Sequence, residues 1–151
     1  MLGKPVADFS LPSTGNTTFK LSGTRGSKVV LYFYPKDNTP GCTQQGSDFR
    51  DSFAAFGKTG TQIYGISRDS IRSHEGFKAK MKFPFELLSD ADEKACNAFG
   101  VIKDKLLYGR KVRGIERSTF VIDEQGRVAH EWRGVKVPGH VKEVLNFVKA
   151  L

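Results

Sequence analysis

"VVLYFYPKDNTPGCTQQGSDF" occupies Val29 to Phe49, and the change of hydrophobic period inside it decides the fold. Its first six residues, Val29 to Tyr34, are a continuous apolar, β-rich run, the pattern of a strand covered on both faces. Pro35 ends that run. From Cys42 onward the spacing is helical, with Phe49, Phe53 and Phe56 at i, i+4 and i+7 on one face and Gly57 and Gly60 closing the segment. A second strand, "QIYGIS" (62–67), follows. Strand, helix and strand in that order imply a parallel pair joined by a right-handed crossover.

Working outward, "SIRSHEGFKAKM" (70–81) reads as a helix capped by Asp69 or Ser70. A short helix begins near Asp92 and stops at Gly100. "STFVID" and "RVAHEW" read as a hairpin about Glu124, Gln125 and Gly126. A last helix starts near Gly139 and presents Val141, Val144, Leu145 and Val148 on one side. Before the decisive stretch, alternation on both sides of Thr14-Gly15-Asn16 predicts an N-terminal β-hairpin. The expected architecture is therefore α/β and thioredoxin-like, a central mixed β-sheet flanked by helices. A doubly wound, flavodoxin-like sheet is the competing arrangement. No internal repeat or linker divides residues 1–151, so one domain is expected.

Composition narrows the function classes. The formal net charge is +8, from 24 basic and 16 acidic side chains. The most basic stretch, "KDKLLYGRKVRGIER" (103–117), reads as a solvated loop and strand edge. Without a recognition helix or stacking motif, the surplus predicts no specific nucleic-acid partner. The N-terminus lacks a signal-peptide apolar region and no run approaches a membrane span, so a cytoplasmic protein with no membrane partner is expected. Two cysteines, Cys42 and Cys96, outline neither a disulfide framework nor a zinc site. His74, His130 and His140 fit no metal spacing and are read as packed or surface residues; Trp132 is expected half-buried at a strand end. Neither a metal nor a nucleotide or flavin cofactor is implied.

Cys42 is the candidate reactive group. Pro35 ends a strand, Pro40 and Gly41 shape a turn, and Cys42 falls in the first turn of a helix. Backbone N–H groups there lack intrahelical acceptors and carry the positive end of the helix dipole, which favours a thiolate. Cys42 shares a helix face with Phe49, so its sulfur points toward the protein. Thr39, three residues earlier, brings a hydroxyl that can donate to an oxygen bound near the sulfur. A small apolar residue packed at a helix start is the competing reading of Cys42.

Pro35 to Cys42, "PKDNTPGC", matches the P-x-x-x-T-x-x-C signature of peroxiredoxins. The likeness continues through "ADFSLP", "IYGISRDS", "PFELLSDAD", "GIERSTFVID" and the C-terminal helix. The chain resembles most the bacterioferritin-comigratory-protein (PrxQ) subgroup. The resemblance implies a thiol peroxidase that reduces hydrogen peroxide and alkyl hydroperoxides, in antioxidant defence. It makes Cys42 the peroxidatic cysteine, oxidised to sulfenic acid. Thr39 would hydrogen-bond the peroxide, Pro40 shield the site and Pro35 shape the loop. The N–H groups of Gly41 and Cys42 would cradle developing charge. Arg117, in "GIERSTF", matches the arginine that the family places beside the sulfur, and Gln45 would orient it.

The chain departs from the subgroup at the resolving step. Where many members carry a second cysteine, five residues after the first, this chain has Ser47, and the alternative position in the following helix aligns with Lys78. Cys96, in "KACNAF", looks like a packed small hydrophobe, which leaves it a poor alternative resolver. The expectation is a one-cysteine cycle in a monomer, with thioredoxin or glutaredoxin and glutathione as candidate reductants. The competing function class is non-enzymatic: a redox sensor, or a basic binding protein on the same scaffold.

Overall fold

The computed structural model describes residues 1–151, with Leu107 described by its backbone alone. The Val29–Tyr34 run forms β3 (Lys28–Phe33), an interior strand of a seven-stranded sheet. The sheet also contains β1 (Ser10–Ser13), β2 (Thr17–Lys20), β4 (Thr61–Ser67), β5 (Glu86–Ser89), β8 (Ser118–Ile122) and β9 (Val128–Arg133). Their order is β2-β1-β5-β4-β3-β8-β9. As the strand–helix–strand order requires, β3 and β4 are parallel. β8 runs antiparallel to β3 and to β9, which excludes the all-parallel competitor. The N-terminal hairpin forms around Thr14–Asn16 and extends the sheet beside β5.

Side chains alternate across β3 and build a separate core on each face. Val29, Leu31 and Phe33 pack with Phe99 and Cys96 of α4 (Lys94–Phe99) and with Phe120 and Ile122. Val30, Tyr32 and Tyr34 face α1 (Pro40–Asp51), α2 (Phe53–Lys58), α3 (Ile71–Met81) and α5 (His140–Ala150). The Tyr32 ring stacks on Phe49 of α1 with centroids 4.6 Å apart. Burying Phe49 completely stabilises the docked helix by roughly 2–3 kcal/mol. That contact holds the helix bearing Cys42 against the central strand.

Three elements differ from the sequence reading. The helix after Pro35 is not continuous through Phe56: it stops at Asp51 and restarts at Phe53, leaving Phe49 and Phe56 buried but Phe53 only half-buried. "ELLS" forms β5, four residues too short to give a periodic signal, paired in parallel with β4. The basic stretch read as a loop and strand edge is a second, two-stranded sheet, β6 (Ile102–Leu107) with β7 (Arg110–Ile115). Its two-residue loop, Tyr108 and Gly109, takes positive φ at both positions (52° and 76°), the geometry of a type I′ hairpin turn. The ribbon escaped detection because exposed charges occupy both of its faces. Ser70 caps α3 as expected, accepting from the Ser73 N–H. The short helix begins at Lys94, two residues after the expected Asp92, and ends at Phe99 with Gly100 as its left-handed cap.

Candidate active site

The loop from Tyr34 to Thr39 leaves the carboxyl end of β3 and delivers Thr39 to the N-cap of α1, with Pro40 as its first helical residue. Cys42 follows in the first turn, 2% exposed, its side chain within the core of the α1 face. The open end of the helix leaves the N–H groups of Gly41 and Cys42 without intrahelical acceptors. Pro35 and Pro40 lie exposed at either end of the loop.

Arg117 reaches this point by strand register. β3 and β8 pair Phe33 with Ser118, so Arg117, immediately before β8, lies beside the start of the loop. The half-buried guanidinium donates from Nη2 to Cys42 Sγ at 3.4 Å and from Nη1 to Gln45 Oε1 at 2.7 Å. Cys42 and Gln45 are one helical turn apart on the same face, so one planar group spans both. A Cβ at Gly41 would lie 3.0 Å from Nη2, so the absent side chain gives the guanidinium its place. A further clearance is needed at Gly46, where a Cβ would collide with the Phe83 ring. Gln45 is fully buried, and its Nε2 has no hydrogen-bond partner among the described residues. Thr39, Gly41, Cys42, Gln45 and Arg117, placed together from the sequence, thus meet at one helix end.

Thr39 differs in one respect. Its hydroxyl donates to the Lys36 carbonyl at 2.8 Å, so its proton is already committed. What it offers a bound molecule is a lone pair, the reverse of the donor expected from the sequence.

Cys96 lies fully buried in the core on the other face of the sheet from Cys42. Burial, reinforced by Asp90, pushes its thiol well above the ordinary cysteine range. Both cysteines are free thiols. Ser47 on α1 donates to the Thr43 carbonyl at 2.8 Å, and Lys78 on α3 pairs with Glu86 at 2.6 Å. His130 stacks on Phe147 and His140 packs against Trp132; the half-buried Trp132 indole donates to Glu143.

The sequence reading passed over Asp37 and took His74 only as a packed or surface residue. Asp37 is 4% exposed, and its carboxylate accepts from Tyr34 (2.7 Å), Ser73 (2.8 Å) and His74 Nδ1 (2.7 Å). Burial alone would raise this carboxyl, but the His74 hydrogen bond and charge, with those of Tyr34 and Ser73, hold it below the usual range. Burial first, with the neighbouring Tyr32 and Asp37, pushes the Tyr34 hydroxyl well above the tyrosine range, which keeps it a donor. Asp37 stands at an unspecified position of the P-x-x-x-T pattern. The available signal was a lone acid inside a short loop and a histidine three residues before Phe77 on the apolar side of α3.

A thiol buried at a helix start under a guanidinium, on a mixed sheet flanked by helices, defines a thioredoxin-fold protein equipped for thiol redox chemistry. The AhpC/TSA family model matches residues 2–131. Peroxiredoxin Bcp of Xanthomonas campestris is 50% identical over 152 residues, spanning 99% of this chain and 95% of that protein. Peroxiredoxin Bcp of Bacillus subtilis is 47% identical over 148 residues, spanning 98% and 94%. A cysteine-to-serine mutant of Xylella fastidiosa PrxQ superposes with a TM-score of 0.95 at 45% identity, covering 99% of this chain and 96% of its own. The bacterioferritin comigratory protein of Xanthomonas campestris, whose structures address alkyl peroxide reduction by that protein, superposes at 0.91 with 49% identity, covering 94% and 90%. The chain belongs to the AhpC/TSA family and is a peroxiredoxin of the Bcp/PrxQ kind, a thiol-dependent peroxidase on a thioredoxin fold.

Proposed function

We propose that Cys42 is the peroxidatic thiol and that it turns over by a one-cysteine cycle, reducing hydrogen peroxide and alkyl hydroperoxides. The observation that carries this reading is the Arg117 guanidinium, which touches Cys42 Sγ and Gln45 Oε1 at once. Anchored by Gln45, the guanidinium holds one N–H at the sulfur, where it steadies the peroxide oxygens as charge develops on them. The N–H groups of Gly41 and Cys42 complete the donor set. Thr39, its own proton donated to Lys36, accepts the hydrogen bond from the peroxide O–H and so turns the molecule for in-line attack. Pro35 shapes the loop, and Pro40 keeps water from the sulfur.

The thiolate attacks one peroxide oxygen, an S–O bond forms and the O–O bond breaks. The departing oxygen takes a proton and leaves as water or alcohol, and Cys42 is left as the sulfenic acid. An external thiol then condenses with it, releasing water and forming a mixed disulfide. A second thiol cleaves that disulfide and restores Cys42. Thioredoxin or the glutaredoxin/glutathione pair supplies those thiols.

Three observations support external resolution. Ser47 and Lys78 bring no sulfur to the positions used elsewhere in the subgroup. Cys96 lies across the sheet, so joining it to Cys42 means breaching the sheet and not merely unwinding one helix. Its thiol is also held protonated and therefore poorly nucleophilic. The reading places the protein as a monomer in a reducing cytoplasm. No described helix is long and apolar enough to cross a membrane.

Intact-mass measurement after one equivalent of hydrogen peroxide, with and without dimedone, tests this cycle. The expected product is one dimedone adduct on Cys42 with Cys96 free. Loss of two hydrogens with no adduct would overturn external resolution.

A further inference from the structure

The loop that carries Thr39 has one inward anchor. Pro35, Lys36, Asn38 and Pro40 are exposed and Thr39 is half-buried, whereas Asp37 is buried. Its carboxylate takes three side-chain donors, and its N–H donates to Asp69 Oδ2 at 2.9 Å. That oxygen also accepts from Ser67 at the end of β4, and the Asp69 carbonyl accepts from Ser89 at the end of β5. His74, fully buried, spans the cluster: Nε2 faces the Leu88 carbonyl at 2.9 Å and Nδ1 faces Asp37. Both ring nitrogens are thereby engaged, and the pair is a fully buried histidine–carboxyl contact.

We propose that Asp37, clamped by His74, Tyr34 and Ser73, is a positioning residue for peroxide attack, a latch that fixes the Thr39 loop relative to Cys42. The proposal rests on the reading of Cys42 as the peroxidatic thiol. Its logic lies in how the two halves of the site are held. Cys42 and Arg117 are fixed from one side, by α1, Gln45 and β8. Thr39 is joined to α1 by its carbonyl, which accepts from the Thr43 N–H at 2.9 Å, but its side chain is set from the other side, by a four-residue turn with Asn38 in the left-handed region (φ 63°) and a single hydroxyl bond to Lys36. Without the Asp37 carboxylate that turn keeps only its backbone bond to Asp69 beneath it, and the Thr39 side chain drifts from the sulfur while Cys42 and Arg117 stay put.

Asp37, Asp69 and His74 bring three ligand-type atoms within 4.8 Å of one another. Both nitrogens of His74 and the carboxylate oxygens that face it are already matched with protein donors and acceptors, so the cluster is a hydrogen-bonded clamp and not a cation site. A buried polar pair of this kind adds little net stability against an apolar replacement, but it leaves a strong penalty when one partner alone is removed. That makes it suited to fixing a geometry.

The latch predicts a split between two reactions of the same sulfur. Peroxide attack needs Thr39, sulfur and Arg117 aligned, and small misplacements cost it heavily. Alkylation by iodoacetamide needs only a reachable thiolate. Asp37→Ala is expected to slow peroxide oxidation of Cys42 by about tenfold or more. The same variant should change the alkylation rate by less than about threefold. Asp37→Asn should restore peroxide oxidation to within about threefold of the parent, because a carboxamide at this position can accept from Tyr34 and donate to Ser73 and to a neutral His74.

The proposal is overturned by a folded Asp37→Ala enzyme that reacts with peroxide at the parent rate. It is equally overturned if both reactions fall in parallel, or if the Asp37→Asn variant fails to rescue. Should Asp37→Ala not fold, Tyr34→Phe with Ser73→Ala removes two donors at little change of volume and is held to the same split. A parent enzyme that peroxide leaves unoxidised would instead overturn the assignment of Cys42, a result the parent assay alone reveals.

Discussion

Cys42 and Cys96 are both buried free thiols, yet they sit on opposite faces of one sheet, with β3 between their cores. Cys96 packs in the core that holds Phe99 and Phe33, and its backbone N–H donates to the Asp90 carboxylate at 2.7 Å. Cys96→Ala is therefore expected to cost about 1–2 kcal/mol through the small cavity it leaves. Peroxidase turnover with an external thiol should stay within about twofold of the parent. Urea unfolding and coupled turnover assays read the two effects separately, and a collapse of turnover alone would return Cys96 to the cycle.

The guanidinium of Arg117 has two jobs at once, and lysine can do only one. Arg117→Lys keeps the charge but replaces the planar fork by a point donor, which cannot bridge Cys42 and Gln45 together. Second-order oxidation by peroxide should fall by about tenfold to a hundredfold for Lys and further for Ala, following the loss of one or both charge-assisted bonds. Stopped-flow oxidation measures this. Lys matching the parent would show that charge alone suffices.

Two glycines of α1 separate function from packing. At Gly41 a methyl would press on Arg117 Nη2, the movable end of a side chain, so Gly41→Ala should slow oxidation several-fold with stability almost unchanged. At Gly46 it would meet the Phe83 ring, itself stacked on Phe85, so Gly46→Ala should destabilise by about 1–3 kcal/mol. Paired rate and denaturation measurements on both variants check the distinction, and the reverse pattern would contradict it.

Most of this architecture was legible because its signals are large. The apolar run at Val29–Tyr34, the helical spacing from Cys42 and the hairpins around Thr14–Asn16 and Glu124–Gly126 each come from burial or turn chemistry within a few residues. β5 was hidden by its four-residue length, and the β6–β7 ribbon by exposed charges on both faces, since neither leaves a period to detect. Cys42, Thr39 and Arg117 were read from a motif and a resemblance, and register explains why distant Arg117 arrives there. Asp37 and His74 were illegible for a different reason. A buried polar contact between residues 37 positions apart has no local pattern, and only the packing of α3 on the loop brings the two together.

Acid should loosen this protein in two stages. His140 is buried beside Thr119, 2.8 Å from its hydroxyl, and burial lowers its pKa to about 4 against an ordinary value near 6.5. Above pH 6.5 it is neutral folded or unfolded and contributes no slope. Between pH 6.5 and about 4 the unfolded chain takes up a proton that the native state refuses, so stability falls as pH falls. Asp37 acts lower on the scale: its depressed carboxyl stabilises the fold above its unfolded pKa, and that contribution disappears as pH drops below it. Denaturant midpoints at about pH 7, 5.5 and 4.5 should therefore decline steadily. In His140→Gln, which can still bond Thr119, the decline over this interval should flatten while the loss at lower pH remains. An unchanged slope in that variant would show that the upper stage belongs to another group.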